Sequence, residues 1–220
     1  IEQFDPVNKS SCKDEREELE GWGMKAGHLK KYKKMLTELK AKRGEFEKIK
    51  AKRAKMKNKQ VINNVRSGAT YHLFPIRGLS TRRKYLSCTG DGEKVDLWVE
   101  DDKSGRQQWL LTHVGMEQNN GVYLLQPREG LSSNRNLLSV TSDGSKCDLW
   151  RTDDASGRQR WVFVPIGREP KSNSPVFNIR VENGVDNGRI WLSCTDNGEV
   201  VDLWLRDDQS GRQQWVLQAI

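Results

Sequence analysis

Cysteine is scarce, with 4 in 220 residues, and no two have zinc-ligand spacing. A disulfide framework and a structural zinc site are both unexpected on that ground. The three histidines, His28, His72 and His113, are scattered. The chain has no Cys/His pair, no G-x-S-x-G and no P-loop, so no catalytic residue, metal ligand or cofactor is expected. Six prolines and 19 glycines exclude collagen-like and proline-rich low complexity. No run approaches the roughly 18 apolar residues of a spanning helix, and neither a transmembrane segment nor an attached secretory signal is expected. The chain opens on Ile1 rather than Met, as a processed or truncated start would.

Charge is present in quantity but unevenly spread. Residues 1–68 hold 19 basic and 10 acidic side chains, a net of +9. Residues 69–220 hold 19 basic and 20 acidic, a net of −1. Seven of the eight tryptophans lie in the second part, which is long enough to bury a core of its own. Two physically different segments are therefore expected, about 1–66 and about 69–220.

The second segment writes one unit three times. Tyr85–Trp109 reads YLSCTGDGEKVDLWVEDDKSGRQQW, and its copies run from Leu137 to Trp161 and from Trp191 to Trp215. The offsets are 52 and 54 residues, with the two extra residues in a Pro/Ser/Asn stretch between Ile166 and Phe177. The third copy runs to Ile220, where a complete third repeat would end. Each unit has four strand-like runs: in the first, Tyr71–Arg77, Lys84–Thr89, Lys94–Val99 and Gln107–Val114. Asp91-Gly92, Asp143-Gly144 and Asn197-Gly198 are hairpin dipeptides between alternating runs. Alternation sets Val95 and Leu97 on one face and Asp96 and Trp98 on the other. It groups Gln107, Trp109 and Leu111, and it sets Ser87 opposite Leu86 and Cys88. Twelve strands in three units are too few for a typical propeller and fit a β-trefoil, a six-stranded barrel with three capping hairpins. The expected class is all-β, with repeats at about 69–120, 121–174 and 175–220, preceded by a helical segment.

Repeat alignment also interprets the cysteines. Cys88 and Cys194 align with Val140, and Cys147 aligns with Val95 and Val201. Each therefore reads as a small buried hydrophobe. Cys12 stands alone in the basic segment, an inert thiol or an intermolecular link.

The repeated Gln-x-Trp, at Gln107/Trp109, Gln159/Trp161 and Gln213/Trp215, resembles the signature of ricin-type β-trefoil lectins over residues 69–220. The resemblance implies that the Trp of Gln-x-Trp belongs to the core. It implies a sugar pocket in each repeat built from an acid on the second strand, a polar residue and an aromatic platform on the third, and an Asn before Gln-x-Trp. Carried over, Trp98, Trp150 and Trp204 take the platform position, and Asp96, Asp148 and Asp202 the third-strand polar position. Arg106, Arg158 and Arg212 stand where the family often has Asn. Ser87, Ser139 and Ser193 fall near the family's second-strand acid, which is missing from all three copies. The chemistry of the three residue types suits a sugar: an indole for the C–H face, a carboxylate acceptor, and a guanidinium fork that also suits an acidic sugar. A structural alternative stands beside it, in which Asp101-Asp102 and Arg106 pin one turn and Asp96 caps it. The acid pairs Asp101-Asp102, Asp153-Asp154 and Asp207-Asp208 lack EF-hand spacing, and the nearby Arg opposes a cation.

In the first segment, Ser11 with Asp14 and the acids after it reads as a capped helix start, broken at Gly21-Trp22-Gly23. Met24–Asn58 is helical in composition and would be a rod of roughly 50 Å if unbroken, with Gly44 the weak point at which a turn between two helices is the alternative. Leu29, Tyr32, Leu36, Leu39 and Phe46 fit a/d spacing, and residues 24–59 carry a net of +12. Three readings stand open: an oligomerising coiled coil or packing helix, an amphipathic contact to an anionic surface, and a phosphate-binding element. Without interleaved aromatics, nucleic acid is the least expected partner. Asn8-Lys9-Ser10 is a glycosylation sequon, relevant to a secreted chain. The expected function is non-enzymatic: a secreted or extracellular glycan-binding protein with up to three equivalent sites, tethered or oligomerised by its helix. The alternative is a structural, adhesive or protein-interaction trefoil.

Overall fold

The computed structural model describes residues 26–62 and 65–220. The expected helix start at Ser11, the Gly21–Gly23 break, Cys12 and the sequon at Asn8 lie outside the described residues. The chain divides into two compact units, Ile1–Lys55 and Met56–Ile220.

Helix α1 runs Ala26–Ile62, 37 residues without interruption, or about 55 Å at 1.5 Å per residue. Gly44 does not end it: of the two alternatives, rod or helical hairpin, the helix is the unbroken one. A Cβ there would meet nothing within 4 Å, and the residues on both sides are helix formers. Tyr32, Met35, Leu39, Phe46 and Ile49 are all exposed on it. None of the described helices is long and apolar enough to cross a membrane.

Residues 69–220 of the second unit form an all-β trefoil. Its strands are β1 (Ala69–Pro75), β2 (Tyr85–Cys88), β3 (Val95–Trp98), β4 (Trp109–Glu117), β5 (Asn120–Pro127), β6 (Leu137–Val140), β7 (Cys147–Trp150), β8 (Trp161–Arg168), β9 (Pro175–Val181), β10 (Trp191–Cys194), β11 (Val201–Trp204) and β12 (Gln214–Ala219). Six of them, β12-β1-β4-β5-β8-β9, pair antiparallel in a ring that closes when β9 returns to β12. Closure leaves this barrel without an unpaired edge. The remaining six form three hairpins, β2-β3, β6-β7 and β10-β11.

Threefold repetition governs the core. Trp109, Trp161 and Trp215 are 0 % exposed. Each indole N–H donates to a hairpin carbonyl of its own repeat: Leu86 at 2.8 Å, Leu138 at 2.9 Å and Leu192 at 2.8 Å. The Trp of Gln-x-Trp thus fills the barrel and fastens its hairpin with the one polar atom it must satisfy. The Gln does the same from beside it. Nε2 of Gln107, Gln159 and Gln213 donates to the hydroxyl of Ser87, Ser139 and Ser193 at 3.0, 3.1 and 3.0 Å. Cys88, Cys147 and Cys194 are buried free thiols in the core, in the positions the Val alignment assigns.

The hairpins interlock in a ring. Leu149 N–H donates to Gly92 O, Leu203 N–H to Gly144 O and Leu97 N–H to Gly198 O, at 2.8–2.9 Å. Gly92 has φ +74°, and a Cβ on it would lie 3.0 Å from Arg135 Cβ and 3.1 Å from Leu149 Cβ. The hairpin dipeptide therefore serves both its own turn and the packing of the next repeat's hairpin against it. Each junction between repeats is a seam, and the candidate residues lie along these seams.

Candidate functional site

Register places the candidate pairs. Tyr85 lies opposite Trp98 and Ser87 opposite Asp96 on hairpin β2-β3. The β6-β7 hairpin pairs Leu137 with Trp150 and Ser139 with Asp148, and β10-β11 pairs Trp191 with Trp204 and Ser193 with Asp202. Val95 and Leu97 turn inward to the core, so Trp98 is carried outward and is 41 % exposed. Trp150 and Trp204 are exposed to a similar degree, at 41 % and 39 %. Three large indoles in water, at the same backbone position, contrast with the three buried ones.

The carboxylates sit lower in the seam. Burial pushes the Asp96, Asp148 and Asp202 carboxyls above the ordinary carboxylate range, against the pull of nearby cations. Asp96 pairs with Arg83 at 3.4 Å and with Lys94 at 3.7 Å, and Asp148 pairs with Arg135 at 3.4 Å. Asp202 feels Arg189 and Arg212 through space.

These arginines are the part of the site that the sequence reading missed. Arg83 lies 5.5 Å from the Trp98 ring centre, Arg135 5.5 Å from Trp150 and Arg189 5.3 Å from Trp204. Each is a cation–π contact, with the guanidinium spanning from indole to carboxylate. The signal was available: Arg83, Arg135 and Arg189 stand at the same offsets of 52 and 54 residues as the rest of the repeat.

Arg106 and its copies occupy a different place. The Arg106 guanidinium donates to Asp102 at 3.1 Å and its Nε to Ser104 Oγ at 3.0 Å. Arg158 and Arg212 reach Asp154 and Asp208 at 3.3 and 3.5 Å. Hydrogen bonds from Ser104, Ser156 and Ser210 hold the Asp102, Asp154 and Asp208 carboxyls below their ordinary range, with the arginine field adding to this. The Arg106 stem packs over Gly130, where a Cβ would lie 2.8 Å from Arg106 Cγ. Asp96 pairs with Arg83 and Lys94 rather than capping the Asp-Asp-x-Ser-Gly-Arg turn, which is held by its own ion pair and packs against the next repeat. The arginine is still near the site in the second and third repeats, where its field reaches Asp148 and Asp202.

Asp202, Trp204 and Arg212 share one small cavity of about 160 Å³ with Ser193, Cys194, Thr195 and Asp196. This is well below the roughly 300–1,000 Å³ of a deep small-molecule pocket, and it suits a ligand lying across the surface. A wider cleft of about 850 Å³ opens elsewhere, lined by Ala69, Leu110, Pro127, Asn136 and Ile220 among others. It holds none of the candidate residues. Among the described residues, no group of three or more metal-ligating side chains comes together.

No protein-family model matches the chain, and no curated protein aligns with it. Solved structures do. The Polyporus squamosus lectin, bound to the human-type influenza-binding epitope Neu5Aca2-6Galb1-4GlcNAc, matches with a TM-score of 0.51 at 12 % identity, over 71 % of this chain and 50 % of that one. The BEL β-trefoil matches at 0.47 and 17 %, over 71 % of this chain and 96 % of that one. A GlcNAcα1-4Gal-releasing endo-β-galactosidase from Clostridium perfringens matches at 0.48 and 13 %, over 69 % and 32 %. The chain spans a third to a half of the length of the lectin and the galactosidase. The Polyporus likeness supports the trefoil fold read from the strand pairing.

Proposed function

We propose that this chain is a non-enzymatic, ricin-type carbohydrate-binding protein. Its three seam sites are centred on Trp98, Trp150 and Trp204. One observation carries the reading: an exposed indole, a largely buried carboxylate and an arginine recur together in three repeats of one barrel. The indole offers an apolar face to a sugar ring, Asp96, Asp148 or Asp202 accepts from its hydroxyls, and the arginine donates. Arg106, Arg158 and Arg212 border the same sites from the neighbouring turn. The chemistry admits neutral and acidic glycans. A secreted or extracellular setting fits such ligands.

Helix α1 acts as the tether in this reading. Its exposed apolar side chains suit self-association, which raises avidity for arrayed glycans. The +12 charge of residues 24–59 suits an anionic surface as well.

A second reading, a protein-interaction or adhesive scaffold, is favoured by one observation. The serines in the family's acid position are buried and committed to Gln107, Gln159 and Gln213. A glycan array of the full chain, beside the Trp98→Ala/Trp150→Ala/Trp204→Ala variant, separates the two. The lectin reading predicts binding that the triple variant loses while keeping its native circular dichroism. Silence of the folded wild-type chain on every glycan would assign the scaffold role.

A further inference from the structure

The three seams share a backbone but not a charge. Residues 77–84, which lead into β2, carry Arg77, Arg82, Arg83 and Lys84 and no acid. The equivalent residues 129–136 hold one acid and one cation, Glu129 and Arg135. Residues 183–190 likewise hold Asp186 and Arg189. The excess continues into the site. Asp96 is shared by two cations, Arg83 and Lys94, whereas Asp148 has one ion-pair partner. Among the described residues, no carboxylate lies within ion-pairing distance of Arg82 or Lys84.

The first seam also has a longer aromatic floor. Phe74 and Tyr85 meet edge to face at 5.9 Å, and Tyr85 is the cross-strand neighbour of Trp98. The ammonium of Lys84 lies 4.6 Å from the Tyr85 ring centre and 5.7 Å from that of Phe74. The second repeat has Leu137 and Gln126 at those two positions, and the third has Trp191 and Arg180. A row of rings carrying the Lys84 ammonium, which no carboxylate among the described residues neutralises, accommodates more than one sugar residue, with an anionic group against that ammonium.

We infer that the first seam is an extended site for an anionic oligosaccharide, sulfated or carboxylated, whereas the other two take sugars without regard to charge. This rests on the proposed function and narrows its ligand for one of the three sites. Asp96 favours a saccharide over a nucleic acid as the occupant, because a carboxylate in the floor accepts from the several free hydroxyls that each sugar ring carries and a phosphodiester chain largely lacks.

The test follows the indole N–H resonances of Trp98, Trp150 and Trp204 in the full chain. These report each seam separately from any binding to the cationic helix. The titrants are a heparin-derived tetrasaccharide, its desulfated counterpart that keeps the carboxylates, and a neutral chitotetraose. The Trp98 midpoint should fall at lower concentration than the other two for the charged sugars only. Arg82→Asn/Lys84→Asn installs the second repeat's own residues on the same backbone. It should raise the Trp98 midpoint for the sulfated sugar roughly tenfold, the loss of one or two charge-assisted contacts, and leave chitotetraose unchanged. The sulfated and desulfated arms tell sulfate from carboxylate. Equal midpoints at all three indoles, or no response to the double substitution, would overturn the inference and leave the lectin reading intact. No indole shift with any saccharide would overturn both. A single-stranded oligonucleotide matching the tetrasaccharide at Trp98 would reassign the seam to nucleic acid.

Discussion

Trp98→Ala and Trp109→Ala remove the same side chain eleven residues apart, yet the structure separates their consequences. A tryptophan buries about 150–250 Å² when fully enclosed. Trp98 is 41 % exposed, so it buries about 90–150 Å². At about 25 cal/mol per Å² that is worth about 2–4 kcal/mol, an upper bound because the unfolded chain already hides part of it. The Arg83 contact adds about 0.5–1 kcal/mol. A loss near 2–3 kcal/mol leaves a folded protein whose melting midpoint falls by roughly 5–10 °C. Trp109 is 0 % exposed and loses its whole area, about 4–6 kcal/mol, with a cavity cost in addition. Its removal also orphans the buried Leu86 carbonyl that its indole satisfies at 2.8 Å, costing about 1–3 kcal/mol more. That total rivals the entire stability of a domain. Urea unfolding followed by near-ultraviolet circular dichroism, on both full-length variants, checks the contrast. Trp98→Ala should show a cooperative transition at a lower midpoint, and Trp109→Ala little native signal in buffer. Equal destabilisation would refute the reasoning, because Trp98 would then be a core residue and its exposure no argument for a ligand.

Three further outcomes follow from the same geometry. Gly105→Ala forces a side chain onto φ +89° with its Cβ 2.7 Å from the backbone nitrogen of Glu129. It should cost about 1–3 kcal/mol in denaturant unfolding, whereas the same change at the unobstructed Gly44 inside α1 should favour the helix by up to about 1 kcal/mol. The depressed carboxyls of Asp102, Asp154 and Asp208 contribute stability above the unfolded pKa near 3.9, and that contribution is lost as pH falls through their lower folded values. The triple Asn variant should therefore be less stable than wild type at pH 7, and the gap should close in acid below pH ~4. A gap that persists unchanged into acid would contradict the clamp. Burial pushes the Cys88 and Cys194 thiols up to about 12, and that of fully buried Cys147 well above its ordinary value. A thiol-specific disulfide reagent at mild alkaline pH should leave all three unmodified in the native protein and label them in guanidinium chloride. Native-state labelling of any of them would place it outside the core.

Much of the fold was legible because repetition multiplies weak signals. One Asp-Gly between alternating runs is a modest hairpin cue, but three at fixed offsets define the architecture, and strand ends fell within about two residues of expectation at most positions. The val-for-cysteine swaps located the thiols for the same reason. Gly44 left rod and hairpin both open, because a lone glycine costs a helix only about 1 kcal/mol, which the helix formers on both sides outweigh. The candidate site was legible only in part. Asp96 and Trp98 follow from register on one hairpin, which alternation predicts. The partner of Arg106 was legible only as one of two alternatives, because spacing places Asp102 within reach in its own turn but does not say whether the guanidinium turns to it or to a ligand. Arg83 was overlooked for the complementary reason. It precedes the strand it serves, and only folding brings it over Trp98.

The account's central claim is that sugar rests on the exposed indoles. The most direct test is a crystal structure of the full chain with the glycan it binds best on the array. The account predicts a pyranose ring within roughly 4–4.5 Å of Trp98, Trp150 or Trp204, with a hydroxyl hydrogen-bonded to Asp96, Asp148 or Asp202. Sugar lodged instead in the Ala69–Ile220 cleft, with all three indoles bare, would contradict it.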